Sequence, residues 1–203
     1  MSANDPKIKN AILVNEFSEY GVKCFKADFD NILHSNIPII PILIDSFGGE
    51  VYSLLAMLDI IASSDRPVAT IAMGKAMSCG AILLACGSPG LRFIGPHSTV
   101  MIHDVGSISF GKIEDLKADV VEADRLNNKI FDLLNKNCNK KPGYFQQEVA
   151  KRKHVNWYLN ANDALHHSIV DKIGVPVLEH GFTLEMATGR VTNKKVVQKR
   201  KRK

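Results

Sequence analysis

The chain has 203 residues, 45% of them hydrophobic, and a formal charge of +5, which suits one domain with a sizeable buried core. No basic segment followed by an apolar stretch opens it, and its longest greasy run, Ile37 to Ile44, is short and broken by Pro38 and Pro41. Export and a membrane span are therefore not expected, and the cytoplasm is. The four cysteines (Cys24, Cys79, Cys86, Cys138) show neither C-x-x-C pairing nor metal-ligand spacing to the histidines, so they read as free thiols. The positive charge is local: Arg190 to Lys203 holds eight basic residues and no acid, and without them the rest of the chain is net negative. That distribution disfavours nucleic acid as a partner and describes a solvated polar tail.

In chain order, Ile39 to Asp45 is a near-continuous apolar run rich in β-branched residues, and Val68 to Met73 is another. Both suit strands buried on two faces, although Pro41 cannot donate to a central ladder. Between them, Glu50 to Ser63 places Val51, Leu54, Leu55, Leu58, Ile61 and Ala62 at helical spacing before a polar stop, Ser63 to Pro67. A β-α-β unit follows, and with it a largely parallel sheet. Ser78 to Cys86 is short, apolar and rich in small residues, with Ser78 at the start of a buried helix. Leu91 to Ile94 and Thr99 to His103 read as strands on either side of a Gly95-Pro96 turn. From Lys112 to Asn137 the apolar positions Ile113, Leu116, Val120, Ala123, Leu126, Ile130, Leu133 and Leu134 predict a long amphipathic helix, acids early and Lys136 late. Asn160 to Asp171 predicts a capped helix with a polar face, followed by a short strand around Val175 to Leu178.

Singly, the chemistry-bearing motifs are weak, because a serine before Cys-Gly or a Gly-Gly turn occurs in many folds. Their order is informative: Asp45-Ser-Phe-Gly-Gly-Glu-Val51, Gly74-Lys-Ala-Met-Ser-Cys-Gly-Ala81, Arg92-Phe-Ile-Gly-Pro96, Val100-Met-Ile-His103, Trp157-Tyr-Leu-Asn-Ala161 and Ile169-Val-Asp-Lys-Ile173. Over about residues 42–175 this series resembles the Clp protease proteolytic subunit (ClpP) family. The resemblance implies an α/β fold, the ClpP/crotonase-like spiral of β-β-α units, with the helix from Lys112 and the preceding Val105 to Gly111 as a protruding handle. It divides the chain into a flexible segment 1–10, a peptidase domain 11–182 and a basic tail 183–203.

The same resemblance implies that Ser78 attacks the scissile carbonyl while His103 takes its proton and returns it to the leaving amine. A hydroxyl is a poor nucleophile at neutral pH, and an imidazole is a base matched to that range. The backbone N–H groups of Gly49 and Cys79 are the implied oxyanion donors. Where the family carries the third, aspartate, member, this chain has Asn156, which can accept from the imidazole but cannot stabilise its cation by charge. Phe47 replaces a proline in the Gly-Gly turn. Stacked, heptameric rings enclosing a chamber are implied, with a polypeptide substrate added as a strand beside the Gly49 turn, and neither metal nor organic cofactor. The part before Ile39 is shorter than the family's and diverges from it, which counts against the loops that engage an AAA+ unfoldase. A catalytically weak structural subunit and a limited-processing protease are the alternative readings; a crotonase-type acyl-CoA enzyme is disfavoured by the Ser-x-Gly and Met-Ile-His pieces.

Overall fold

A computed structural model describes residues 11–35, 37–106, 110–177 and 185–186. The expected segment 1–10 and nearly all of the basic tail lie outside the described residues. Five strands, β1 (Ile12–Val14), β2 (Ile40–Ser46), β3 (Val68–Met77), β4 (Arg92–Ile94) and β7 (Lys172–Ile173), form a parallel sheet in the order β1-β2-β3-β4-β7. A further strand, β5 (Thr99–Ile102), runs parallel to the second half of β3, and β6 (Trp157–Leu159) closes that side antiparallel to β5. Pro176–Val177 (β8) pairs separately with Glu185–Met186 (β9). The expected β-α-β unit is present as β2, α2 (Val51–Ala62) and β3.

The objection raised by Pro41 dissolves in the register. The Ile40 N–H bonds the Pro67 carbonyl on the β3 side, so the next nitrogen points the other way, toward β1. There the pairing starts only at Ile42, and no ladder bond is lost. Alternation along β3 sends Val68, Ala72 and Ala76 into the main core, and Ala69 and Ile71 into a small cluster with Phe93 on the opposite face.

The main core lies under the helices. One of them, α1 (Glu19–Leu33), starts at Ser18, whose hydroxyl accepts from the Gly21 N–H, and buries Phe25, Phe29 and Ile32 at helical spacing. The Arg66 guanidinium donates to the last two carbonyls of α1, those of Ile32 and Leu33, and to those of Ser35 and Ile37 just beyond, a cation placed where the helix dipole favours it. The short α3 (Cys79–Ala85) is buried along its whole length. The helix expected over Asn160 to Asp171 is shorter, α6 (Ala161–His166), and starts with a capping box between Asn160 and Asp163.

The long helix α4 (Ile113–Asn137) is present as expected, but its two halves are covered differently. Its apolar stripe is bare only in the first half, where Ile113, Val120 and Val121 are exposed; Leu126, Ile130, Phe131 and Leu134 pack into the chain's own core. A further helix, α5 (Tyr144–Lys151), buries Phe145 and Val149 against it. Between β4 and the residue just before β7 sits a nearly buried ion pair. Arg92 Nη2 and Nε donate to the two carboxylate oxygens of Asp171 at 2.6 and 2.9 Å, and Arg92 Nη1 donates to the Asn137 carbonyl at 2.9 Å. No helix among the described residues is long and apolar enough to cross a membrane.

Candidate active site

Ser78 stands between β3 and α3 with φ 54° and ψ −120°, a conformation that L side chains rarely adopt and that costs on the order of 1–3 kcal/mol. Its neighbours hold it there. The Ser78 N–H bonds the Met101 carbonyl on β5 at 2.8 Å, and the Ser78 carbonyl accepts from Ala81 and Ile82 in the first turn of α3. A sharp strand-to-helix turn of this kind lifts a hydroxyl clear of the sheet.

The expected base, His103, comes from the adjacent strand end. β5 pairs Met101 with Met77, so Ser78 and His103 follow directly on neighbouring parallel strands at the same end of the sheet. Burial lowers the His103 pKa, and the charge of Asp104 opposes that shift. The net lowering leaves the ring neutral, and so able to accept a proton, at neutral pH. No hydrogen bond links Ser78 to His103 among the described residues; such contacts are often long before substrate arrives.

The Gly-Gly turn has a division of labour that sequence reasoning did not find. A Cβ on Gly48 (φ +104°) would lie 2.6 Å from the Ser78 Cβ and 3.2 Å from its Oγ, so this glycine is what lets the turn press against Ser78. A Cβ on Gly49 (φ +148°) would strike the Phe17 carbonyl, because Phe17 bridges Gly49 and accepts from the Glu50 N–H at 2.8 Å. The only sequence signal for Gly48 was its membership in the pair. Of the expected oxyanion donors, Gly49 lies in this turn and Cys79 is the first residue of α3. The Cys79 thiol is buried, donates to the Gly49 carbonyl at 3.3 Å, and is pushed by burial up to about 11; it is a packing group, not a nucleophile.

The third position is unusual. The β5–β6 register runs from Val100 with Leu159 to Ile102 with Trp157, and His103 and Asn156 are the next residues beyond that last pair, at the same end of the two strands. The Asn156 side chain nevertheless turns along its own strand, Nδ2 donating to the Tyr158 hydroxyl at 3.5 Å, and no hydrogen bond joins it to His103 among the described residues. The nearest carboxylate in sequence, Asp104, is engaged elsewhere: Oδ2 lies 2.8 Å from His154 Nδ1, and Oδ1 accepts from Asn127 Nδ2 at 3.2 Å.

A cavity of about 520 Å³ opens beside the turn, walled by Gly49, Val51, Val105, Gly106, Ala123 and Leu126, with Glu50, Tyr52, Asp119 and Glu122 completing it. It lies between the start of α2 and the middle of α4. Tyr52 donates to Glu122 at 2.5 Å, and Arg125 pairs with the same carboxylate. Hydrogen bonds from Arg125 and Tyr52 hold the Glu122 carboxyl down at about 2.

A largely parallel sheet of β-β-α units, a serine at a strained strand–helix junction and a histidine at the next strand end define an α/β protein of the ClpP/crotonase-like spiral class. The chain belongs to the Clp protease family, whose profile matches residues 32–176. It is 33% identical over 143 residues to ATP-dependent Clp protease proteolytic subunit 1 of Rhodopirellula baltica, covering 69% of this chain and 61% of that relative. It is 32% identical over 127 residues to the ATP-dependent Clp protease proteolytic subunit of Deinococcus radiodurans, covering 62% and 60%. The chain thus spans about three fifths of the length of these curated relatives.

Proposed function

We propose that the chain is a serine-type endopeptidase subunit that cleaves unfolded polypeptides or short peptides, with Ser78 as nucleophile and His103 as general base. The observation that carries this reading is the strained Ser78 backbone, held against Gly48 and beside the strand end that bears His103. A substrate strand lies along the Gly49 turn and the segment after His103, and one of its side chains enters the 520 Å³ cavity. His103 withdraws the Ser78 proton as Oγ attacks the carbonyl carbon. The oxyanion takes hydrogen bonds from the Gly49 and Cys79 N–H groups, and His103 then protonates the departing amine. Attack by water, with the same base, releases the acyl group and restores the serine.

Assembly into rings, heptameric and stacked, around a chamber belongs to the same proposal, and the bare first half of α4 supports it. The cytoplasm is the compartment we assign, and dependence on an AAA+ unfoldase is the weaker expectation. Asn156, at the same end of the β5–β6 pair as His103 but without a carboxylate and bonded to Tyr158, favours a second reading as a catalytically weak structural subunit of the same fold. Treatment of the assembled protein with a fluorophosphonate, followed by intact mass and peptide mapping, decides between them. A single adduct on Ser78, absent in Ser78→Ala, is the expected result; an unlabelled Ser78 beside a labelled control peptidase favours the structural subunit.

A further inference from the structure

Resting on the assignment of His103 as the base, we propose that Asp104 is a positioning residue for it, fixing the end of β5 to α4 and to the loop that carries Asn156, and setting a carboxylate beside the imidazole. Three separate contacts converge on this point. Asn127, in the middle of α4, clamps two successive residues: its Nδ2 donates to Asp104 Oδ1 at 3.2 Å, and its Oδ1 accepts from the Val105 N–H at 3.0 Å. The other Asp104 oxygen meets His154 Nδ1 at 2.8 Å. His154 itself lies two residues before Asn156, in a turn where Lys153 and His154 both have positive φ (58° and 59°), an arrangement that non-glycine residues hold only when their surroundings enforce it.

One carboxylate therefore ties together the strand end that bears the base, the handle helix and the loop that faces the base. Asp104 is about one third exposed and His154 about two thirds, so the charge acts through a partly solvated path and its effect is moderate. The groups facing the carboxylate are His103 on its own strand, Asn127 from α4 and His154 from the loop. Asp104 raises the His103 pKa against the larger, lowering effect of burial. That is the sense in which a triad carboxylate acts, and position 156 lacks one.

Two readouts test this. Diethylpyrocarbonate modifies neutral imidazoles, and its rate at His103 against pH, followed by peptide mapping, gives the midpoint of that residue without reference to Ser78. Asp104→Asn, nearly isosteric, is expected to move the midpoint to lower pH. Asn127→Ala, which keeps the charge and removes the clamp, is expected to leave the midpoint in place while lowering kcat about 10-fold with little change in KM. A midpoint unmoved in Asp104→Asn, in protein of unchanged circular dichroism and oligomer size, overturns the proposal. If Asp104→Asn does not fold, an Asn127→Ala protein with unchanged kcat overturns it. An inert Ser78 in the parent would sink the peptidase reading instead, and the imidazole midpoint still judges Asp104.

Discussion

Asn156 and His103 flank the same end of the last β5–β6 pair, Ile102 with Trp157, yet the Asn156 amide donates to Tyr158 rather than to the imidazole. On the proposed reading, Asn156 takes the place of a third triad member without its charge. Asn156→Asp is expected to raise kcat/KM on a small peptide about 10-fold, equivalent to about 1.4 kcal/mol of transition-state stabilisation. The added anion raises the pKa of His103, which must be neutral to act, so the acid limb of the rate profile moves to higher pH. An assembled Asn156→Asp protein no faster than the parent would remove Asn156 from the mechanism.

Gly48 offers a test of the turn. In Gly48→Ala, the new Cβ meets the Ser78 Cβ at 2.6 Å in a backbone of φ +104°. Displacing the nucleophile should lower kcat on the order of 100-fold, and the left-handed conformation adds a stability loss of about 1–2 kcal/mol. Steady-state kinetics beside a urea titration would show both. Full activity in the variant would mean that Ser78 is not the attacking group.

The handle divides in two, and so do the effects of charge on it. Val120 and Val121 are each 69% exposed, so replacing both with Glu should leave the monomer folded and reduce the light-scattering mass to that of a single chain. Leu126→Glu or Ile130→Glu should instead unfold the chain, because those side chains lie in its own core. An oligomer of unchanged size in the Val120 and Val121 double variant would remove this face from the interface.

The Arg92–Asp171 pair predicts an acid limit to stability. Burial alone would raise the Asp171 carboxyl, but the hydrogen bonds from the Arg92 side chain and backbone and the guanidinium charge outweigh it and hold it below the ordinary aspartate value. A depressed folded pKa adds stability above the unfolded pKa, near 4, and that stability is lost as pH falls through the folded value. Asp171→Asn should cost about 3 kcal/mol at neutral pH by stranding a buried guanidinium and should flatten the acid dependence. Urea midpoints at pH 7 and pH 3.5, taken at one protein concentration, measure both effects. Equal losses for parent and variant on acidification would assign the acid limit elsewhere.

Much of this arrangement was legible in the chain. The runs ending at Asp45 and Met73 were continuous and β-branched, the segment between them carried a helical period, and the stretch after Ser78 was apolar and rich in small residues; they became β2, β3, α2 and α3. α1 was not read, although Ser18 and the spacing of Val22, Phe25, Phe29 and Ile32 signalled it; its many charges masked the stripe. What could not be read is what distant segments do to one another. The bonds from Arg66 to the end of α1 span about thirty residues, and Asp104 meets a histidine 50 positions away. Nor does periodicity reveal that half of the α4 stripe is already covered by the chain itself.

β3 is shared more widely than any other strand: β2 lies along one edge, and β4 and β5 follow one another along the other. Ser78 leaves its end, and the strand leading to His103 is laid directly on its last residues. The proposed nucleophile and base thus sit at the ends of the most cross-braced rod of the fold and its neighbour, whereas much of the cavity wall comes from the α2 start and α4. Substitutions in those helical walls are consequently expected to alter what the cavity admits while Ser78 and His103 stay put.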